Sequence, residues 1–355
     1  VPKTSKPGIP YVCLGSCNRD IIENDWRLIV DAVVERITLL CAADPEQLKE
    51  LTPQQLVQAG YCDPVRMFIK KEPHSVRKYL SKRWRLIFAI SLVDQIVERL
   101  LGHEQNSKEI REWMDNPSAP GISLSSDSAL EEFYHRVANE ADGQPLAEAD
   151  ITGWDWSVKE WELLWEAESR IKLGSFTPSA ASALRNRFLC ISRAVYAAPD
   201  GNLFTLIGNG VMLSGCYFTS SSNSRIRVLT AFMAGASWAI AMGDDCVEEY
   251  RPDASEKYEA LGHPLKMYQE RKCLDGAYSF EFCSQLFSED GTWPVDGTKT
   301  LYRLLEQKTI SPELKQQFYF EMRNHPRLSE FKGVVREVEQ SFEKNRAQDD
   351  AKQSP

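Results

Sequence analysis

Two separate stretches of this chain put carboxylates where they would repel one another unless a cation lay between them. Gly243-Asp244-Asp245 separates two apolar runs, 238–242 and 246–247, and reads as a β-hairpin with its acids at the tip. Like charges about 4 Å apart cost about 4 kcal/mol at an effective dielectric near 20. Acids in a turn escape that cost if both simply face water. Asp150 lies at the end of a short apolar segment, 146–151, and Asp155 follows five residues later. An acid at a strand end beside a second acidic hairpin suggests a shared cation site, and hard oxygen ligands select Mg²⁺ or Mn²⁺. Asp155 has a plainer reading as well, as a cap for the helix that starts near Ser157.

A third element lies between these acids in sequence. Ser214-Gly215 is followed by Thr219 and Asn223, with Gly215 allowing a tight turn from strand into helix. Thr219 and Asn223 are four residues apart and share one face of a helix, where small polar groups could read a sugar hydroxyl. The alternative is a merely polar helix start. Upstream, residues 66–85 hold eight Lys or Arg (66, 70, 71, 77, 78, 82, 83 and 85) and one acid, Glu72. Such an island can contact phosphate or be a solvated face.

The elements that must position these residues are set by periodicity and breakers. Residues 25–42 are helical, with Trp26, Ile29, Val30, Val33 and Ile37 on one face, and Pro45 and Pro53 interrupt the stretch after that helix. A second helix is expected at 93–101 and a loop at 121–128. Ser157-Val158-Lys159-Glu160 reads as a capping box for a helix carrying Trp161, Leu164, Trp165 and Ile171, ending near Gly174. Strand-like runs at 194–198 and 203–207 flank the turn Pro199-Asp200-Gly201, and a helix is expected at about 219–236. Residues 299–342 are largely helical, broken at Pro312 and Pro326, and the polar tail beyond Lys344 is expected to be disordered. Strands and helices in mixed order indicate an α+β fold.

Composition narrows the class. The 355 residues are 43% hydrophobic and 26% charged, as in a globular protein, and no apolar run approaches the roughly 20 residues of a membrane span. The net charge of −9 weighs against a general nucleic-acid binder, so the basic island carries that possibility alone. Nine cysteines without a C-x-x-C pair and five scattered histidines offer no zinc spacing and fit free thiols. The first residue is Val, which fits release from a polyprotein or a trimmed chain.

Taken in order, D-x4-D at Asp150 and Asp155, S-G-x3-T-x3-N at Ser214–Asn223 and G-D-D at 243–245 resemble motifs A, B and C of viral RNA-dependent RNA polymerases. The island resembles their basic motif F, from Lys70-Lys71-Glu72 to Arg83-Trp84-Arg85-Leu86-Ile87. Phe68-Ile69-Lys70-Lys71-Glu72-Pro73-His74 and Ser91-Leu92-Val93-Asp94-Gln95 are similar to sobemovirus, polerovirus and barnavirus polymerases, and the likeness runs from about 63 to 288.

This resemblance implies an RNA-directed RNA polymerase that replicates a positive-strand genome by two-metal nucleotidyl transfer. Its implied α+β architecture is that of a right hand. Residues 1–145 would be an arm and fingers, with motif F in 63–90. Residues 146–298 would be a palm with an antiparallel sheet and a fingers insertion at about 174–207. A small helical thumb at 299–343 and a disordered tail at 344–355 would complete it. It implies Asp150, Asp244 and Asp245 as ligands of two Mg²⁺ ions, for which Mn²⁺ can substitute, and Asp155, Asn223 and Ser214 or Thr219 as readers of the ribose. Arg85, Lys70 and Arg83 would lie along the triphosphate, with Glu72 orienting an arginine. Lys266, with Lys272 as runner-up, would be the general acid of motif D, and Phe282-Cys283-Ser284 a motif E hairpin. The implied partners are template and product RNA, NTPs, a genome-linked protein if priming is not de novo, and viral and host replication proteins that would hold the enzyme at cytoplasmic membranes. Region 1–62 matches no assigned motif. Two other functions compete: a catalytically inactive palm-like RNA-binding scaffold, which has no need of clustered acids, and a metal-dependent nuclease or phosphotransferase, which leaves the Ser214–Asn223 element and the basic island unexplained. A reverse transcriptase-like enzyme would be expected to carry a bulky gate near Asp155 and would not need Asn223.

Overall fold

Asn18–Asn24 forms α1 and Trp26–Ala42 forms α2 in a computed structural model that describes residues 1–70, 76–82, 84–307 and 310–353, the side chains of 77, 78 and 342–353 excepted. The face that α2 buries is not the one expected from its apolar residues. Ile29, Val33, Arg36 and Leu40 are inside, whereas Trp26 and Val30 are 53% and 45% exposed. A buried cation turns the helix: Arg36 Nη1 lies 2.5 Å from Asp94 Oδ1 and Nη2 lies 3.1 Å from Asp63 Oδ1. Pro45 and Pro53 do not merely interrupt the chain. Each is the first residue of a short helix, α3 (Pro45–Leu48) and α4 (Pro53–Gln58), where its missing N–H costs nothing.

The basic stretch becomes β1 (Val65–Ile69), α5 (Val76–Leu80) and β2 (Leu86–Ala89), the two strands antiparallel with Ile69 opposite Leu86. Next, α6 (Leu92–Arg111) starts at Ser91, whose hydroxyl accepts the Asp94 N–H at 3.1 Å. It is twice as long as apolar periodicity suggests, because its second half buries Asn106 and Glu109 against polar partners. Helix α7 (Asp127–Ala141) precedes β3 (Leu146–Ile151), α8 (Trp154–Ser157), α9 (Glu160–Leu173) and α10 (Pro178–Ser192). The expected cap at Ser157 is displaced: Glu162 accepts the Lys159 N–H at 2.6 Å, while the Ser157 hydroxyl donates to Trp154 O at 2.9 Å within α8.

Two-residue strands β4 (Tyr196–Ala197) and β5 (Leu203–Phe204) pair antiparallel, and β4 runs parallel to β1. Then come α11 (Thr219–Met233), β6 (Ala239–Met242), β7 (Asp245–Glu249), α12 (Ala254–Ala260) and β8 (Leu265–Arg271). The chain continues as β9 (Phe280–Phe282), β10 (Gln285–Ser288), β11 (Gly291–Pro294), α13 (Gly297–Leu305), α14 (Pro312–Glu321) and α15 (Leu328–Gln353). The sheet orders are β2-β1-β4-β5, β6-β7-β3-β8 and β11-β10-β9, so the fold is α+β. Helix α15 continues through the polar stretch after Lys344 that composition alone marks as disordered. Among the described residues no helix is long and apolar enough to cross a membrane.

The chain divides into two compact units. Val1–Gly121, Ala149–Cys246 and Arg251–Tyr268 form the first, and Ile122–Glu148, Val247–Tyr250 and Gln269–Pro355 the second. In the first, one apolar core gathers Phe88, Trp154, Leu163, Leu184, Phe188 and Phe218, and another packs α2 with α6 and α10 through Ile29, Leu40, Val97 and Leu189. In the second, rings of α7 and the β9–β10 hairpin stack, with Phe133 and Phe282 4.7 Å apart and Phe280 and Phe287 5.3 Å apart. The turn of that hairpin is Cys283-Ser284, both at positive φ (51° and 58°), as a tight two-residue turn requires.

Asp94 is the polar centre of the first unit. Its carboxylate takes Arg36, lies 3.3 Å from Arg187 Nη1 and accepts the Asp63 N–H at 3.1 Å, while Arg187 Nη2 lies 2.7 Å from Glu98. Removing one partner from such a buried set leaves charge uncompensated. Asp94→Ala should therefore lower unfolding stability by about 3 kcal/mol in urea titration. A loss below about 1 kcal/mol, the range of exposed pairs, would show that the set is not electrostatically coupled.

Candidate active site

Asp150 stands one residue from the end of β3. The strand is anchored from behind by Arg227, fully buried on α11, whose Nη2 approaches Ala149 O at 3.4 Å. Beyond Asp150 the Thr152 N–H donates to Pro264 O at 2.9 Å, which ties the end of β3 to the turn before β8. Gly153, at φ +60°, then bends the chain into α8, whose first turn carries Asp155. Burial pushes the Asp155 carboxyl up to about 6. The Asn223 amide and the Arg85 cation work against that rise, and the negative charge of Asp244 adds to it. These four side chains therefore share one electrostatic neighbourhood.

Asp244 and Asp245 sit at the tip of the β6–β7 hairpin, both exposed. Gly243 is at φ +66°, the sign a tight hairpin needs at its first turn position. Its N–H donates to Ser224 Oγ at 2.8 Å, and the Ser224 hydroxyl donates in turn to Ser220 O at 2.7 Å. Ser224, fully buried on α11, thus holds the turn that presents the acids. The apolar and acidic patterns gave no sign of it. Its one signal is its place after Asn223, a turn of helix beyond Ser220.

Lys266, on β8, pairs with Asp150. The bonded Asp150 carboxylate holds its ammonium above the ordinary lysine value, burial opposes this, and the charges of Asp150, Asp244 and Asp245 all raise it. One cation is thus felt by all three acids. Among the described residues no three His, Cys, Asp or Glu side chains are close enough to hold a metal ion as they stand. The donor set nevertheless fits a hard divalent ion, since it is all carboxylate oxygen and one member, Asp150, already pairs with a cation. Lys272, the other lysine considered, lies 3.9 Å from Glu270.

The Ser214–Asn223 element is docked on both neighbours. The Met212 N–H donates to Asp155 O and the Val211 N–H to Val158 O, each at 2.9 Å. Gly215 is required by proximity more than by turn geometry, because a Cβ there would lie 1.9 Å from Phe88 O. Ser214 Oγ accepts the Phe88 N–H at 3.4 Å. The Thr219 hydroxyl is turned to the backbone, 2.7 Å from Leu213 O and 2.9 Å from Cys216 O. Asn223 Nδ2 donates to Asp155 Oδ1 at 3.2 Å, and its Oδ1 is buried with no hydrogen-bond partner among the described residues. A buried acceptor left open beside a carboxylate suits a ligand hydroxyl.

At the basic stretch the Lys70 N–H donates to Arg85 O at 2.8 Å, so strand pairing sets these two cations side by side in sequence register. Arg85 is exposed and its charge reaches Asp155. Arg83 and Glu72 lie outside the described residues. His263 is a further residue without a sequence signal. Fully buried, it bridges Ser157 Oγ at 2.8 Å and Glu162 Oε1 at 2.6 Å, and so fixes the turn three residues before Lys266.

The family model for viral RNA-directed RNA polymerase matches residues 3–290. The chain is 45% identical over 307 residues to the replicase polyprotein P2AB of Cocksfoot mottle virus, covering 85% of this chain and 32% of that protein. It is 43% identical over 309 residues to the P2AB polyprotein of Southern bean mosaic virus, covering 86% and 32%. The RNA-directed RNA polymerase of Mushroom bacilliform virus is 39% identical over 341 residues, 91% of this chain and 79% of that one. The chain thus spans about a third of the length of the replicase polyproteins it matches. With the family model and these relatives each covering most of its length, the chain belongs to the viral RNA-directed RNA polymerases.

Proposed function

We propose that this chain synthesises RNA on an RNA template from NTPs, replicating a positive-strand genome, with Asp150, Asp244 and Asp245 as its metal-binding acids. The observation that carries the reading is the ion pair of the Lys266 ammonium with Asp150, five residues before the Asp155 that takes the Asn223 amide. Mg²⁺, or Mn²⁺ in its place, would be held by these carboxylates and would supply charge neutralisation for phosphoryl transfer.

The side chains then divide the work. Asp155 and Asn223 bind the ribose: the open Asn223 Oδ1 accepts from the sugar hydroxyl, and a deoxyribose would leave it unsatisfied. Ser214 and Thr219 support that pair through the turn they hold. Arg85 and Lys70 orient the triphosphate by charge, a role in which Arg83 would support them. Lys266, the protonated partner of Asp150, would donate its proton to the departing pyrophosphate. On this reading residues 1–145 are arm and fingers, 146–298 palm and 299–343 thumb. RNA and NTPs are the substrates, with a genome-linked protein as primer where synthesis does not start de novo. Replication-complex proteins, viral and host, would hold the enzyme at cytoplasmic membranes.

Primer extension on an RNA template with Mg²⁺ tests the catalytic assignment. Asp244→Ala should reduce incorporation at least about 10³-fold, the scale of losing a principal electrostatic group, while circular dichroism and RNA binding stay as in the wild type. Residual synthesis near the wild-type rate would remove Asp244 from the chemistry. Sugar selection is measured separately, as kcat/KM for ATP against dATP. Asn223→Ala and Asp155→Ala should each relax the preference at least about tenfold. An unchanged ratio would leave the pair with a packing role only.

A further inference from the structure

Arg170 and Glu166 of α9 are both fully buried, and no step of the proposed reaction uses them. Arg170 Nη2 donates to Ser221 Oγ at 2.5 Å and to Ser222 Oγ at 3.2 Å. Nη1 donates to Asn106 Oδ1 at 2.8 Å and to Gln105 Oε1 at 3.2 Å on α6, and Nε lies 2.7 Å from Glu166 Oε1. The guanidinium also lies over the Phe218 ring, 4.7 Å from its centroid. Glu166 Oε1 accepts from the Ser222 hydroxyl at 3.0 Å. One turn further along, Arg225 Nε lies 2.9 Å from Glu109 of α6.

These partners fall at 218, just before α11, and at 221, 222 and 225 within it, along one face of the helix. An apolar seam would let α11 turn or slide by small amounts, whereas a planar guanidinium fork accepts partners in fixed directions only. The two serines also flank the sugar-facing position directly, because Asn223 follows Ser222. Its contact with Asp155, at 3.2 Å, is already at the long end for an N–H···O bond. A slight rotation of α11 would open it.

We infer that Arg170 is a positioning residue: by holding Ser221 and Ser222 it sets the rotation of α11 and so keeps Asn223 on Asp155, which makes discrimination between ribose and deoxyribose depend on a buried arginine that touches neither sugar nor metal. This rests on the reading of Asn223 and Asp155 as the ribose-sensing pair. It also accounts for a charged cluster where an apolar interface would serve stability as well.

The test is kcat/KM for ATP against dATP with the full chain as wild type, Asn223→Ala, Arg170→Lys, Ser222→Ala and the Arg170→Lys/Asn223→Ala double variant, with thermal unfolding of each. Lysine keeps the charge and loses the fork, and Ser222→Ala deletes one contact with little change of shape. Arg170→Lys should relax the ATP preference by about tenfold and Ser222→Ala by a smaller factor, as expected for one buried hydrogen-bond partner lost. The double variant should be no less selective than Asn223→Ala alone, since both act through one contact. If Asn223→Ala relaxes selection while Arg170→Lys and Ser222→Ala slow ATP and dATP equally, Arg170 is only structural and the inference fails. If Asn223→Ala leaves the ratio unchanged, the ribose-sensing reading fails first and the inference with it. Should Arg170→Lys not fold, Ser222→Ala decides alone.

Discussion

Carboxylates brought together on separate strands repel one another, and the fold must hold them against that repulsion until a cation arrives. We propose that in this chain the ammonium of Lys266 meets that need. It is bonded to Asp150 and lies in the field of Asp244 and Asp245. Much of the first unit serves to hold this arrangement. Arg227 backs the strand of Asp150, Ser224 fixes the turn before Asp244, and Pro264 O and His263 tie the approach to Lys266 onto the segment that carries Asp155. On the proposed reading one lysine joins two tasks, offsetting the acids at rest and carrying a proton in turnover.

Helix α11 links the parts of the site. Successive residues face different elements: Ser222 toward the buried cluster of α9, Asn223 toward Asp155, Ser224 toward the acidic hairpin, and Arg227 toward β3. On the proposed reading, sugar selection and metal placement share one helix, and an error in its rotation is felt at both. The charged seam with α6 and α9 supplies rigidity by direction, which close packing of apolar side chains does less well.

How much of this the sequence disclosed depended on whether chemistry or packing chose the residue. Asp150, Asp155, Asn223 and the Gly243–Asp245 turn stood out because the chemistry proposed for them demands particular functional groups at particular spacings, and the hairpin and α11 follow from ordinary periodicity. The buried charges were not. Arg36 and Asp94 are 58 residues apart and Arg170 and Ser222 are 52 apart, and each looks like a surface residue until its partner is known. For that reason the inner face of α2 was misjudged, since Arg36 and not Trp26 points inward. Gly215 was expected for its backbone freedom and is needed for its lack of a Cβ against Phe88 O. Spacing alone does not separate Lys266 from Lys272; the fold pairs Lys266 with Asp150 and puts Lys272 3.9 Å from Glu270.

The central claim is that acids from β3 and the β6–β7 hairpin share one cation, and that Lys266 holds their place. Mn²⁺ binding by the nucleotide-free protein, followed by electron paramagnetic resonance, tests it without turnover. Lys266→Met should bind Mn²⁺ more tightly than the wild type, because the competing ammonium is gone, and Asp150→Asn and Asp244→Asn should each bind it more weakly. Equal affinity in all four proteins would mean that these residues do not share a cation.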